Sequence, residues 1–514
     1  MRAFGGGTGA CATGFRHRHE RGRADRDECG FASASGEAAA RLRAARRRIG
    51  HRRDSARRVP CRGRCDAGRR MKENLMPSMG KTAPVFLSAP ALRGRVVEAR
   101  GVIARVVGVS LRIGEKVRLV RPDTLEAQYG EVVGFTHDGA LVMPLAGLNG
   151  LSDITEVQGC GSAWGTFDAA GLLGRVVDGL GNPLDGGPVP RPLASAAAQA
   201  GEGTLNPLER PVIATPFATG VRAIDGLLTC GVGQRTGIFA PAGGGKSTIM
   251  GMIANGASTD AIVVALIGER GREVAEFIHD HLERRRASTI VIAATSDRPA
   301  AERIKAAELA SQVAVGLRAS GRNVLLLFDS LTRYARALRE LGLAVGEPPL
   351  RGGFPPSVFA QLPRLIEAAG VTAQGSITAF YTVLADEADL SDPVAEEARS
   401  LLDGHIQLSS KLGAAGHYPA IDILRSRSRL MTRVAAAVHQ ADANRVRDWL
   451  ARYEDVELLL QIGEYQRGND ADTDQAIDRR AAIVSFLRQR YDTRCGWDDT
   501  RRQLHALCDG DRRA

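Results

Sequence analysis

Beyond the first 91 residues, hydrophobic and polar positions fall into three successive patterns. From Leu92 to Gly165 short β-branched runs are broken by Gly and Asp, at Arg95–Val97, Val102–Val109, Lys116–Leu119, Glu131–Thr136 and Leu141–Pro144. Strand-length runs bounded by turn residues predict a small all-β domain, a barrel, over 92–165. A turn-rich connector is expected over 166–211, because Leu173–Gly187 reads LGRVVDGLGNPLDGG and Pro188–Leu208 is rich in Ala, Pro and Gly. From 212 to 431 strands at Thr236–Ala240, Ala261–Ile267, Thr289–Ala294, Asn323–Phe328 and Ser376–Val383 alternate with helices at Lys246–Asn255, Arg272–Arg284 and Ala300–Ala319. Alternation at this spacing predicts parallel βαβ units, an α/β core with helices on both faces. After Thr432 the strand signals stop. Ala441–Tyr453, Asp455–Gln461 and Asp474–Gln489 carry a helical period and a polar tail follows, so 432–514 is expected to be a helical domain. No internal repeat is visible.

Length and charge sharpen this picture. A chain of 514 residues exceeds a single hydrophobic core, which stops growing near ~250–300 residues, so several domains are required. No apolar run approaches the ~18 residues of a membrane helix. Met1–Gly50 has no apolar stretch before a small-residue cleavage site, so a cytoplasmic protein is expected. The net charge of +11 sits in one place. Residues 1–70 hold 19 arginines against seven acidic residues, a net of +12, whereas the other 444 hold 50 basic and 51 acidic residues, a net of −1. A neutral body with 5% aromatics argues against a nucleic-acid partner. The first 70 residues read either as a basic arm for nucleic acid or anionic lipid, or as a start codon assigned too early. The change of composition at Met71, Met76 and Met79, opening a linker over 71–91, favours the second reading. Cys61 and Cys65 stand four apart with His51 nearby, but no second ligand pair has finger-like spacing, so free thiols are expected.

The strongest chemical signal is TGIFAPAGGGKS, Thr236–Ser247: an apolar run, a Gly-rich loop, then Lys-Ser opening a helix. This context suits a phosphate-binding loop formed by Ala240, Pro241, Ala242, Gly243, Gly244, Gly245, Lys246, Ser247 and Thr248. Glycines let backbone N–H groups converge on phosphate oxygens, Lys246 reaches the β and γ oxygens, and Ser247 can ligate Mg2+. Ala240 stands where the first glycine is usually found. A second Gly-Lys-Thr, at Gly80-Lys81-Thr82, has Leu75 at that place, no strand before it and Pro84 soon after, and reads as a loop. Such a site also needs a metal-holding carboxylate on a neighbouring strand. Asp329, ending the apolar run Asn323–Phe328, can orient Mg2+ through water, or it caps the following helix. The strand Ala261–Ile267 ends in GERGRE, where Glu269 can polarise an attacking water and Arg270 and Glu273 can position it or the γ-phosphate. Taken alone that cluster also fits a solvated helix start.

With these elements in one order, the chain resembles the hexameric ATPases of type III secretion systems, relatives of the catalytic subunits of rotary ATPases. The likeness covers Leu92 to Gln489. It rests on LLGRVVDGLGNPLDG (Leu172–Gly186), GVRAIDGLLTCGVGQRTGIFAPAGGGKST (Gly220–Thr248), GERGREVAEFI (Gly268–Ile278), LLLFDSLTRYARALRE (Leu325–Glu340), GGFPPSVFAQLPRLIEAAG (Gly352–Gly370) and LLDGHIQLSSKLGAAGHYPAIDILRSRSR (Leu401–Arg429). The resemblance implies a RecA-like P-loop core between a small β-barrel and a helical C-terminal domain. It implies ATP and Mg2+ as ligands, Lys246 and Ser247 on the phosphates and metal, Asp329 on the Mg2+ water shell and Glu269 as catalytic carboxylate. It further implies Tyr418 stacked on adenine, and Arg429 given as an arginine finger to the neighbouring subunit of a homohexamer. Arg425 and Arg427 take no such role. Ser410 stands where related sequences usually have arginine, and the 1–70 arm has no counterpart. The family's setting implies a central stalk protein, a peripheral regulator, chaperone–effector complexes and an inner-membrane export gate as partners, with peripheral attachment to the secretion apparatus. Ala385–His405 and Glu457–Asp470 favour the non-flagellar branch over the flagellar export ATPase. An RNA translocase of the Rho type lacks its aromatic and basic surface here, and a non-catalytic ring subunit would be expected to lack Glu269 or Lys246.

Overall fold

A computed structural model describes residues 93–161, 164–165, 167–191, 207–241, 243–385 and 392–509. The basic arm, the linker, Cys61 and Cys65, the Gly80-Lys81-Thr82 loop and Ala242 of the phosphate loop lie outside the described residues.

The β-branched runs after Arg93 close into a barrel of six strands, ordered Arg93–Arg100, Ile103–Val107, Gly139–Pro144, Ala127–Thr136, Lys116–Val120 and Glu156–Gly159. Alternate positions point inward, so that Val96, Ala104, Val106, Val117, Leu119, Val132, Val142 and Val157 form its core. The closing strand is only four residues long, and nothing in its own pattern predicted it.

The second layer system is a nine-stranded sheet. Its main path runs Ile421–Ser428, Gly404–Leu408, Arg235–Ala240, Ser376–Leu384, Asn323–Asp329, Ala261–Ile267, Thr289–Ala294 and Val176–Val177. The strands from Gly404–Leu408 onward are parallel along this path, while Ile421–Ser428 is an antiparallel edge. A sheet covered on both faces needs continuous apolar strands, and all seven residues of Ala261–Ile267 are buried. Val263, Ala265 and Ile267 face one core, packed by the helices Ala300–Ala319 and Leu331–Ala344. Ile262, Val264 and Leu266 face the other, packed by the helix Lys246–Gly256.

The last part of the chain differs from its sequence pattern. The two pieces Ala441–Tyr453 and Asp455–Gln461 form one helix, Ala437–Ile462, and the tail read as polar contains a helix, Trp497–Asp509. That helix buries Thr500, Leu504 and Cys508, one position per turn, which is too little apolar surface to stand out in composition. Together with Ala471–Leu487 these helices place Trp449, Ile483, Phe486 and Leu504 in the same apolar core as Ile249 and Met250 of the phosphate-loop helix. Full burial of each large apolar side chain is worth about 1.5–3 kcal/mol, so these helices are firmly seated on the sheet domain.

A turn ahead of the sheet is fixed by one carboxylate. Asp225 is fully buried and accepts from Thr219 N at 2.8 Å, Thr219 Oγ1 at 2.7 Å and Gly220 N at 2.9 Å. Burial pushes its carboxyl up to about 6 against these three donors. Asp225→Ala leaves two N–H groups and a hydroxyl unpaired inside the protein and should cost about 3 kcal/mol in denaturant unfolding. A loss below about 1 kcal/mol would show that the turn holds without its carboxylate.

Candidate active site

Parallel strands that end at the same level gather loops at one edge, and here that edge carries charge. Ala240 pairs with Leu384, Phe328 with Tyr381 and Leu266 with Asp329, so the strand ends preceding the Gly-rich loop, Glu269 and Ser330 lie side by side. The loop turns on Gly243 and Gly245, whose φ values of 76° and 84° are left-handed and favour glycine. Gly245 is also the N-cap of Lys246–Gly256, and no side chain caps that helix. Its first backbone N–H groups therefore suit an anion. Ser247 is exposed and Thr248 half-buried in the first turn, and Pro241 is half-buried ahead of the glycines.

Lys246 reaches back over the strand ends. Its Nζ lies 2.9 Å from Glu269 Oε1 and 2.7 Å from Asp329 Oδ1. Burial works against its charge, but Asp329 and Glu269 outweigh burial and raise its pKa above the ordinary lysine value. Glu269 and Asp329 are 5% and 3% exposed, so both carboxylates depend on their partners. The Asp329 strand is not the immediate neighbour of the phosphate-loop strand, as the sequence suggested. Ser376–Leu384 lies between them, and its Thr382 Oγ1 donates to Asp329 Oδ1 at 2.6 Å.

Thr382 and Arg333, which the motifs do not single out, complete the cluster. Thr382 lies within an apolar strand and shows only in the sheet register. Arg333 holds Glu269 from the other side, with Nη2 donating to Oε2 at 3.1 Å and Nε 3.1 Å from Oε1. Gly268 permits this approach, since a Cβ there would sit 3.1 Å from Arg333 Cδ. A signal for Arg333 existed: it sits in the first turn of Leu331–Ala344, where a cation opposes the helix dipole unless an anion faces it. Lys246, Arg333, Glu269 and Asp329 thus form a cluster of two cations and two anions, balanced in charge. It can orient a carboxylate toward water beside a phosphate loop.

Among the described residues, none of this cluster's ion pairs involves Arg270, Tyr418 or Arg429. Arg270 pairs with Glu273 at 3.0 Å and its side chain is 72% exposed. Tyr418 is 49% exposed. Arg429 follows the edge strand Ile421–Ser428, is exposed, and donates from Nη2 to Arg399 O at 3.0 Å. A cavity of about 390 Å3 opens on the same edge, with Arg425, Arg427 and Arg447 in its wall and no member of the Lys246 cluster.

Comparison with known proteins gives this geometry a context. Residues 220–428 match the nucleotide-binding domain of the ATP synthase alpha/beta family, and residues 435–506 match the T3SS EscN ATPase C-terminal domain. A type 3 secretion system ATPase of Xanthomonas euvesicatoria is 50% identical over 423 residues, covering 81% of this chain and 94% of that protein. The assembled ATPase EscN of the enteropathogenic E. coli type III secretion system superposes with a TM-score of 0.75 at 43% identity, covering 80% of this chain and 99% of that one. EscN in complex with its central stalk EscO matches with a TM-score of 0.73 at 42% identity, with the same coverage.

If Arg333 orients Glu269, Arg333→Ala should lower kcat for ATP about thirtyfold, the worth of a charged hydrogen-bonded pair of ~2 kcal/mol, with ATP affinity little changed. Turnover at saturating ATP beside a nucleotide-binding titration decides this, and wild-type turnover would remove Arg333 from the site.

Proposed function

We propose a mechanism from one premise: this chain belongs to the type 3 secretion system ATPases, within the ATP synthase alpha/beta family. It is an ATP-hydrolysing enzyme and the hexameric motor of protein secretion. The observation that carries the mechanism is the charge-balanced cluster of Lys246, Arg333, Glu269 and Asp329 under a Gly-rich loop.

ATP enters with its phosphates against the backbone N–H groups of 243–248 and draws Lys246 away from the two carboxylates. Released from Lys246 but held by Arg333, Glu269 accepts a hydrogen bond from the attacking water and polarises it. Asp329, fixed by Thr382, keeps its orientation as Lys246 moves. Tyr418 offers its exposed ring to adenine. Arg270 supports Glu273 and the water at the rim of the site.

The donor set suits Mg2+. Ser247 and Asp329 present hard oxygens, and among the described residues no group of three or more His, Cys, Asp or Glu is arranged to hold a metal by itself. That agrees with an ion that takes one or two protein ligands and completes its shell with phosphates and water. Ser247 would hold it directly and Asp329 through water. When bound, Mg2+ would offset the negative charge that builds on the phosphates.

Arg429 belongs to the neighbour's site. With Lys246 drawn to the phosphates and Arg333 kept on Glu269, the cluster has no further cation for the charge on the transferring phosphoryl group, and Arg429 stands outside its own protomer's cluster, on an exposed edge. A ring of six copies, supported by the assembled state of EscN, brings this arginine to the next subunit, and the EscN–EscO complex supports a central stalk partner. Chaperone–effector complexes, a peripheral regulator and the inner-membrane export gate complete the partners. The ATPase works in the cytoplasm, attached peripherally to the secretion apparatus. Hydrolysis shifts the C-terminal helices of successive protomers, releasing chaperones and unfolding cargo for export.

Mixing tests the shared site. Arg429→Ala and Glu269→Gln should each bind ATP yet turn it over about a thousandfold more slowly. Co-assembled, they should regain part of the wild-type rate, because interfaces form in which an intact Glu269 meets an intact Arg429. Mixed rings as inactive as the separate variants would place the arginine in its own subunit's site.

A further inference from the structure

Gln489 lies just beyond the helix Ala471–Leu487, 7% exposed, and spends its polar groups on three separate pieces of the chain. Its backbone N donates to Tyr418 O at 2.9 Å. Its Oε1 accepts from Arg222 N at 2.9 Å, and its Nε2 donates to Gly220 O at 2.8 Å and to Thr493 O at 2.9 Å. Cys495 N adds a second donor to Gly220 O at 3.1 Å. Arg222 returns the contact, with Nη1 donating to Gln503 Oε1 at 3.0 Å and Nη2 to Arg488 O.

A buried glutamine with its hydrogen bonds satisfied is ordinarily packing. What sets Gln489 apart is the identity of the pieces it joins. Gly220 rests on the far end of the phosphate-loop helix: a Cβ on Gly220 would lie 2.7 Å from Gly256 Cα, and one on Gly256 would lie 2.2 Å from Thr219 O. Contact that close transmits displacement, because neither backbone can give. The Gly220 turn is held from one side by Asp225 and from the other by Gln489. The Tyr418 carbonyl hangs from the Gln489 backbone, whose position is set by the side-chain clamp.

We propose that Gln489 is the positioning residue of the adenine side of the nucleotide site, holding the Tyr418 segment in register with the phosphate-loop helix and tying both to the C-terminal helices. The proposal rests on the reading of Tyr418 as the adenine platform and of Lys246 as a phosphate ligand. The two ends of ATP are then held by different parts: phosphates by the loop, base by a segment whose distance from the loop Gln489 sets. A nucleotide that seats both ends at once tightens the clamp, and the C-terminal helices share that tightening through Arg222, Gln503 and Phe486, whose ring lies 5.8 Å from the Arg222 guanidinium.

The test compares ATP with inorganic tripolyphosphate, which has no base, at fixed Mg2+ on the assembled full-length chain. Loss of the three side-chain hydrogen bonds in Gln489→Ala should raise KM for ATP about tenfold, leave kcat within about twofold and leave tripolyphosphate affinity unchanged. Gln489→Glu keeps the acceptor for Arg222 N but turns a carboxylate oxygen toward two carbonyls, and should show the same selective loss. It carries the comparison if the alanine variant does not fold. Equal weakening of both ligands, or of neither, overturns the assignment. Lys246→Ala serves as reference and should weaken both ligands. If it weakens neither, the site reading fails, and with it the proposal's foundation, whereas a normal Lys246→Ala result beside unselective Gln489 variants sinks the Gln489 role alone.

Discussion

The site is governed by charge balance in a nearly dry space. Two carboxylates at most 5% exposed cannot stand alone among apolar strands, and each is offset: Asp329 by Lys246, Glu269 by Lys246 and Arg333. The cluster is therefore complete before nucleotide arrives, and complete in a way that keeps the lysine from phosphate. A triphosphate adds several negative charges to this neutral set. In the proposed mechanism it binds as Lys246 changes partners, and Mg2+ and an arginine from another subunit offset the charge that builds during phosphoryl transfer.

The same constraint connects the site to the rest of the fold. Asp329 keeps its place through Thr382 on the intervening strand, and Glu269 keeps its place through Arg333 on a helix packed into the opposite core. On the other face, the phosphate-loop helix shares its apolar core with the C-terminal helices through Ile249, Met250, Trp449 and Phe486. A change in the position of Lys246 or of the Gly220 turn is thus felt by helices that the proposed mechanism has move during export.

Much of this was legible in the sequence, and the reasons differ by element. The phosphate loop is legible because its backbone needs left-handed turns, and Gly243 and Gly245 supply them in a strand-to-helix context. Asp329 and Glu269 are legible as acidic residues ending apolar runs. Thr382 is not, because a threonine inside SITAFYTVL reads as β-propensity and its bond to Asp329 is a product of sheet order. Arg333 left a trace only in its unfavourable place in the helix dipole. The helix Trp497–Asp509 was hidden by its charged composition, since Thr500, Leu504 and Cys508 mark its buried stripe. Gln489 could not be singled out at all, because its meaning lies in Tyr418 and Gly220, residues 71 and 269 positions away.

The central claim is that one protomer holds an incomplete site and that assembly completes it. The most direct measurement is ATPase rate per protomer across a range of protein concentrations, with oligomer mass recorded on the same samples. The account predicts negligible turnover for monomer and a specific activity that climbs in step with the hexamer fraction. A rate per protomer that stays flat while the hexamer forms would contradict it, and would mean that Lys246, Glu269, Asp329 and Arg333 hydrolyse ATP without help from a neighbour.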